Sequence, residues 1–528
     1  MPSDALSNAR TTSSAALPVV TRGHEQSLSL GLRRATSWVK ARAMFVIAVS
    51  AVLIISLLGI PKHLSQDGWL ALIAGRTIAA HGIPQHDYFA SLTHGVRWVD
   101  QQWLAQLIMY EVAHLGGLQL LCVVYVLVAV GAFGAAVAVA RGLGAEDLHV
   151  LIATLPGAFF YLVTALSIRT QGLAYPLFVA TLWLLASELR SPVRRRRVYL
   201  VLPMLVVWGN LHGSVTLGAG LAALYGLVLL LSGVRRSGRR GLTDGRALAF
   251  LLVSPLTLLV TPYGAGMVHY YSVTLMNPQF GRMVTEWKPA MSVPILAVPL
   301  FVLIGAVAVV VVRVTIAARS GRALRPQLFD VVTLLVLAIG AIMAIRNVTW
   351  FGLAVVVLLP TQLTQMRSGR PAPLRRSRAN LLVAAATVAL AALITLGILA
   401  RPTGWFTGSY PAKAIPVLRS LIARNPNAKV LADVRYADWL IWEDPRLFSG
   451  RVAYDTSFEL LNTSQLSAIA DLAARTPAAR QMLDRFPIWM LYPGNHSVNR
   501  TLLRRRGVRV VSRNRKVIIA LQGGGAHA

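Results

Sequence analysis

The chain has 528 residues, of which 55% are apolar and 14% charged. Soluble domains carry about 25% charged residues, so this composition excludes an ordinary cytosolic globular protein, and the high apolar content excludes a disordered chain. The net charge of +32, from 52 basic and 20 acidic side chains, falls in short clusters between long apolar runs, a pattern of membrane topology and not of nucleic-acid binding.

Taken in chain order, residues 1–42 form a polar, basic segment whose first thirty or so residues read as disordered. A helix crossing a ~30 Å hydrocarbon core needs about 20 mostly apolar residues. Eleven stretches approach this: 43–60, 118–140, 148–167, 172–189, 198–209, 213–233, 247–262, 291–312, 328–345, 348–366 and 380–400, the fifth being the shortest. Counted in order, the Arg-rich turns at 190–197, 235–246, 313–325 and 367–378 all fall on the side of the N-terminus, whereas the turns at 168–171, 209–214 and 346–347 hold at most one Arg each. The positive-inside bias therefore predicts a cytoplasmic N-terminus and an extracytoplasmic tail. Arginine supplies 46 of the 52 cations, a composition that suits a GC-rich bacterial genome and hence a bacterial plasma (inner) membrane. The lone cysteine, Cys122, permits no intrachain disulfide and no thiolate metal site.

Three outer segments are longer than turns: 61–117, 263–290 and 401–528. In the first, the spacing of Trp69, Leu70, Leu72, Ile73, Arg76 and Ile78 predicts an amphipathic helix on the membrane interface, and 103–114 predicts a second. The polar His86-Asp87-Tyr88 marks a break between them. The tail reads as a small extracytoplasmic α/β domain, with strands at 429–433, 451–455, 488–492, 508–511 and 517–521 and helices within 458–475 and 477–485. The fold class is thus an α-helical polytopic membrane protein, a 43–400 membrane domain followed by this 401–528 domain.

Ionisable groups near the membrane are costly and tend to be functional, and here they collect on the outer side. Asp67 follows the first span, where an N-cap is its plain structural role. Asp100, His86 and Asp87 suit caps and turns equally well. Asn210 and His212 sit at the join of two spans, where polar side chains commonly bond helix to helix. Tyr263 follows the seventh span, Glu286 precedes the eighth, and Arg346 occupies the short turn after the ninth.

The stretch Asp67–Gly117 resembles the first outer loop of bacterial polytopic glycosyltransferases of the GT-C superfamily. Gly82, Pro84, Asp87, Phe89, Thr93, Gly95, Trp98, Val99, Trp103, Leu104 and Ala105 stand in the register of that group's pattern, with further similarity at Trp208–Gly213, Pro262–Gly264, Glu286-Trp287, Arg346-Asn347, Asp433–Trp442 and Arg451–Asp455. Two departures stand out. Gln102 occupies a position where the group often has an acid, and Arg169-Thr170-Gln171 replaces Arg-Pro-Gln.

The resemblance implies an enzyme that moves a sugar from a polyprenyl-phosphate carrier to an envelope glycan, lipid or protein on the outer face, with inversion. On that basis Asp67 is the expected general base, and Arg346 the expected contact to the leaving phosphate, with Arg282 and Lys288 as substitutes. Asn210, His212, Tyr263 and Glu286 would line the pocket, and His86 and Asp87 would hold acceptor. A divalent metal, with Asp67 and Asp87 as its ligands, is a weaker expectation, because the spacing is loose for a metal site. A transporter or flippase of lipid-linked sugars and a non-catalytic envelope-assembly protein are the alternatives. The tail's 19 basic against 8 acidic residues suit the latter's anionic surface.

Overall fold

The structure is a computed structural model and describes residues 36–37, 39, 43–62, 64, 66–276, 284–320, 327–366, 378–474 and 476–523. The disorder expected over the first thirty residues and the substitute Arg282 lie outside the described residues.

Among the described residues, thirteen α-helices of more than ten residues precede the tail: α1 (Ala43–Gly59), α2 (Gln66–His81), α3 (Trp103–Gly142), α4 (Asp147–Ala165), α5 (Tyr175–Leu189), α6 (Val201–Leu211), α7 (Val215–Ser237), α8 (Gly245–Leu256), α9 (Gly266–Met276), α10 (Pro294–Arg319), α11 (Leu328–Met343), α12 (Val348–Gln365) and α13 (Arg378–Leu399). All eleven predicted spans are helical. Among the described residues, seven helices are long and apolar enough to cross a membrane: α3, α4, α5 with its preceding turn, α7, α10, α12 with its preceding turn, and α13. Helices α1, α8 (with the turn that follows it) and α11 are apolar but shorter, and α6 has only 11 residues. The chain is a multi-pass helical membrane protein.

Helix α12 is the centre of the bundle, buried from Val348 to Gln362. It crosses α4 where Gly157 faces Gly352; a Cβ on either would come within 2.9 Å of the other's carbonyl oxygen. Small residues at such a crossing let two backbones approach, which is how helices gain contact in lipid. Around it pack the buried rings of Tyr161, Tyr175, Phe178, Trp208 and Trp350. Helix α13 lies at the other extreme, with 6% of its apolar window buried, as expected of a lipid-facing span.

The outer loop differs from the two interfacial helices that its pattern predicts. In α2, Trp69, Leu70, Ala71, Leu72, Ile73, Ala74, Gly75 and Ile78 are all buried, because α3 packs on one side of it and the C-terminal domain on another. The 103–114 segment is the start of the 40-residue α3, broken from the rest at Gly116 and Gly117. Gly117 has φ of 69°, a left-handed conformation that only glycine adopts at little cost. Gly117→Ala is therefore expected to destabilise the fold by about 1 kcal/mol, read as a lower Tm in detergent. Between the helices lies a hairpin-like turn in which His86 bridges Arg97. Phe89 and Trp98 pack edge to face within it, centroids 5.7 Å apart.

The tail has a four-stranded sheet in the order β1-β2-β4-β3, with β1 (Val430–Ala432), β2 (Ile488–Leu491), β3 (Val508–Arg513) and β4 (Ile518–Gln522). β1 and β2 are parallel; β4 is antiparallel to both its neighbours. Helices α14 (Ala414–Arg424), α15 (Val434–Glu443), α16 (Thr463–Ala470), α17 (Pro477–Arg485) and α18 (His496–Leu503) complete it. Residues 451–455, expected as a strand, make only an isolated bridge from Val452 to Val430. Their backbone is shared instead with the outer loop: Ser91 N donates to Val452 O at 2.7 Å and Leu92 N to Ala453 O at 3.0 Å.

Further contacts fix the tail domain on α2. Arg76 donates to the carbonyls of Trp442 and Ile441 at 3.3 and 3.2 Å, at the C-terminal end of α15, where a cation is favoured by the unpaired carbonyls. Its guanidinium also lies 4.8 Å from the Trp442 ring centroid. Trp69 packs edge-on against Tyr410, whose hydroxyl donates to Leu64 O at 3.1 Å. Arg76→Ala is expected to weaken this docking by about 1.5–3 kcal/mol, seen as faster limited proteolysis of the tail in otherwise folded protein.

Candidate functional site

One end of the helix bundle and the tail domain enclose a cavity of about 680 Å³. It is lined by Asp67, Arg169, His212, Glu286 and Arg346 from five separate segments of the membrane domain, and by Asp433, Arg435 and Glu459 from the tail. Asp67 is the second residue of α2 and so lies inside the helix, not at its N-cap. Arg169 is in the turn after α4, and Leu64 bridges Ile168 to bring the two segments together. Gly68 makes this approach possible: a Cβ there would stand 2.6 Å from Ile168 O. The turn is also held by Tyr125, whose hydroxyl donates to Ser167 O at 2.7 Å, and by a hydrogen bond from Thr170 to Gln102. The turns carrying Glu286 and Arg346 are tied by Ile345 N donating to Lys288 O at 3.0 Å.

The electrostatics follow from this arrangement. Arg169 pairs directly with Glu286 and stands 3.8 Å from Asp67 Oδ2. Burial works against its charge, but Asp67 and Glu286 more than restore it, so it stays a cation. Asp67 opens to the cavity with 52% of its side chain exposed. The enclosing walls nonetheless raise its carboxyl above the usual range, with Arg169 opposing that rise and Glu286 adding to it. For Glu286, burial is likewise the largest influence, but the Arg169 charge and hydrogen bond together hold it below the ordinary value. Arg346 lies over the Trp287 ring, 4.4 Å from its centroid. Among the described residues it forms no salt bridge. His212 Nδ1 accepts from Ser214 N at 3.0 Å and lies 2.8 Å from Ser214 Oγ, which leaves Nε2 to carry the proton. Burial, then the charges of Arg346 and Arg169, push this ring well below its usual pKa and keep it neutral.

Of the residues expected at a site, Asp67, His212, Glu286 and Arg346 thus meet in one cavity. The other four lie outside its lining, each with a plain structural cause. Asp87 is buried, and its carboxylate accepts from Phe89 N and Thr93 Oγ1 within the outer-loop turn. His86 is exposed beside it. Asn210 accepts from Trp103 Nε1 and donates to the carbonyls of Val206 and Val260, which uses both ends of its amide. The Tyr263 hydroxyl donates to Pro84 O at 2.9 Å. Lys288 is also absent from the lining. Asp67 and Asp87 therefore do not converge as metal ligands, and among the described residues no three His, Cys, Asp or Glu side chains do so.

Arg169 and the tail residues Asp433, Arg435 and Glu459 are what sequence reasoning missed. Arg169 had a visible signal, being the one cation in an otherwise uncharged outer turn. The tail residues had none, since nothing in their local pattern places them over the membrane domain.

Three other acids near the cavity carry a pH dependence. Burial raises Asp438 to about 8, Asp100 to about 8 and Glu459 to about 7. Each holds its proton in the folded chain at a pH where the unfolded chain has lost it. Their contribution to stability is therefore complete below the unfolded carboxyl values and is lost as pH rises toward 8. The Tm of the full chain is expected to fall between pH 5 and pH 8, and Asp438→Asn to flatten that slope, measured by differential scanning fluorimetry in detergent.

No family model matches the chain, and no curated protein matches it. Among solved structures it is similar to the crystal structure of ArnT from Cupriavidus metallidurans bound to undecaprenyl phosphate, at 16% identity over 93% of this chain and 99% of that one, with a TM-score of 0.46. The same protein in the apo state gives 14% identity, 93% and 98% coverage, and a TM-score of 0.45. The Archaeoglobus fulgidus oligosaccharyltransferase in the apo form gives 11% identity over 86% of this chain and 70% of that one, with a TM-score of 0.48.

Proposed function

We propose that the protein is a membrane glycosyltransferase that moves a sugar from a polyprenyl-phosphate carrier to a hydroxyl of an envelope acceptor on the extracytoplasmic face of a bacterial plasma membrane. The observation that carries this reading is the division of labour between the two arginines. Arg169 is occupied by Asp67 and Glu286, whereas Arg346, in the same cavity, makes no salt bridge among the described residues. A cavity-lining cation that makes no salt bridge of its own among the described residues is open to an anion, and a lipid phosphate arriving at the ends of apolar helices is an anion of fitting chemistry.

In the proposed step, Asp67 takes the proton from the acceptor hydroxyl as its oxygen attacks the anomeric carbon. The bond from that carbon to the phosphate oxygen breaks, inverting the centre, and the electron pair leaves with the prenyl phosphate, whose charge Arg346 stabilises. The raised carboxyl of Asp67 makes it a stronger base than an ordinary aspartate, and Arg169 keeps enough of it ionised to act. Neutral His212 adds a fixed hydrogen-bond donor to the wall without adding charge.

The test is transfer of radiolabel from a polyprenyl-phosphate sugar into membrane glycan by the full chain in nanodiscs or native membranes. Product formation is the expected result. Movement of the sugar lipid across proteoliposomes without any glycosylated product would replace the enzyme with a transporter.

A further inference from the structure

The tail's share of the cavity differs in chemistry from the membrane domain's. Asp433 is taken up in capping: its Oδ1 accepts from Arg435 N at 3.1 Å and its Oδ2 from Asn495 Nδ2 at 2.9 Å. Arg435 stacks 3.8 Å from the Tyr492 ring centroid, and Thr456 Oγ1 donates to the Asp438 carboxylate. Glu459 differs, with the Trp98 side chain beside it. It sits on the single turn Phe458–Leu460, and no salt bridge reaches it among the described residues. Phe458 and Tyr270 line the cavity beside it, and α9, which carries Tyr270, packs against this turn. Thus the cavity is lined by four acids: Asp67 and Glu286 facing Arg169, Asp433 taken up in capping, and Glu459 beside Phe458 and Tyr270.

We infer that the tail wall of the cavity is a subsite for a hydroxyl-rich sugar ring without an anionic group, in which Glu459 bonds the hydroxyls and Phe458 and Tyr270 cover the ring's apolar faces. The chemistry favours that class. A carboxylate without a cation repels a phosphate or uronate, yet accepts from vicinal hydroxyls. Burial places Glu459 near neutrality, at about 7, where its two protonation states allow it both to accept and to donate. Aromatic surfaces match the C–H faces of a pyranose and contribute by burying them. Arg346 and Glu459 line the same cavity, one from the membrane domain and one from the tail, so that one ligand could offer a phosphate to the first and a sugar ring to the second. The inference deepens the glycosyltransferase reading, on which it rests for the source of that ring, donor or acceptor.

The full chain in nanodiscs, with inorganic phosphate in excess to occupy Arg346, would be titrated with neutral methyl hexopyranosides, with glucuronate as the anionic control, and read by saturation-transfer NMR. Wild type is expected to bind at least one neutral glycoside and to bind glucuronate at least tenfold more weakly. Glu459→Ala should weaken the neutral glycoside about tenfold, and Glu459→Gln, which keeps hydrogen-bonding capacity and shape, should weaken it less. No neutral binding, equal binding by Glu459→Ala, or equal binding of glucuronate would overturn the subsite. A second arm measures retention of a radiolabelled polyprenyl-phosphate sugar. If Glu459→Ala weakens it about tenfold, the ring is the donor's; if it leaves it unchanged while the glycoside signal falls, the ring is the acceptor's, and both outcomes support the subsite. Wild-type protein that binds glycoside but retains no lipid phosphate would sink the glycosyltransferase reading and leave the subsite standing.

Discussion

Asp67→Asn is expected to lower sugar transfer by roughly 10²–10⁴-fold, the range that a positioned general base contributes, while leaving expression and Tm near wild type. The asparagine keeps the size of the side chain and removes only its charge. Arg169 retains Glu286 as its direct partner, so the substitution does not strand a buried cation. A pH profile gives an independent check. With Asp67 as base, activity rises with pH as its carboxyl ionises, and the limb lies above the ordinary aspartate range because the cavity walls raise it. In Arg169→Met the strongest opposing charge is gone, so the limb should move to still higher pH while the reaction at alkaline pH is partly recovered. Transfer that survives Asp67→Asn, or a limb that stays in place in Arg169→Met, would assign the base elsewhere.

What the sequence made legible was governed by local pattern. Apolar run length marked the approximate positions of the seven long apolar helices among the described residues, because in lipid a helix must satisfy its own backbone and little else competes. The Arg clusters ordered those helices by side, and this alone was enough to collect Asp67, His212, Glu286 and Arg346 at one end. Residues 66–81 were legible as a helix but not in their surroundings. Their pattern fits a lipid interface as well as a cleft between α3 and the tail domain, and only the tertiary docking of Arg76 on Trp442 distinguishes the two. The outer-loop motif was the least transparent part. Asp87, Thr93, Phe89, Gly95 and Trp98 look like a site because they are polar, aromatic and regularly spaced, yet they hold one another. Asp87 accepts from Thr93 and from the Phe89 backbone, Gly95 takes a positive φ of 77°, and Phe89 packs on Trp98. A turn that must be rigid and a turn that must bind select the same residue types. Arg169 raises the opposite difficulty, since its partners Asp67 and Glu286 lie more than a hundred residues away in the chain.

Arg346→Ala is expected to cost about 10²–10³-fold in transfer, as removal of one preorganised group facing developing charge does elsewhere, and to abolish retention of a radiolabelled polyprenyl-phosphate sugar by the nanodisc-held chain. The residue is suited to this because it lines the cavity and makes no salt bridge among the described residues; a bound phosphate would be its direct ionic partner, and that pairing strengthens as charge develops on the leaving oxygen. Arg346→Lys should recover only part of the loss. The ammonium restores the charge, but it lacks the planar fork that lies over Trp287 and can hold two phosphate oxygens at once. If Arg346 were merely packing on Trp287, the order would differ: Arg346→Met would keep the stacking volume and retain activity, and Trp287→Leu would be as damaging as Arg346→Ala. With a phosphate role, Arg346→Met is as inactive as Arg346→Ala, and Trp287→Leu, which loosens the guanidinium without removing it, falls between them and wild type.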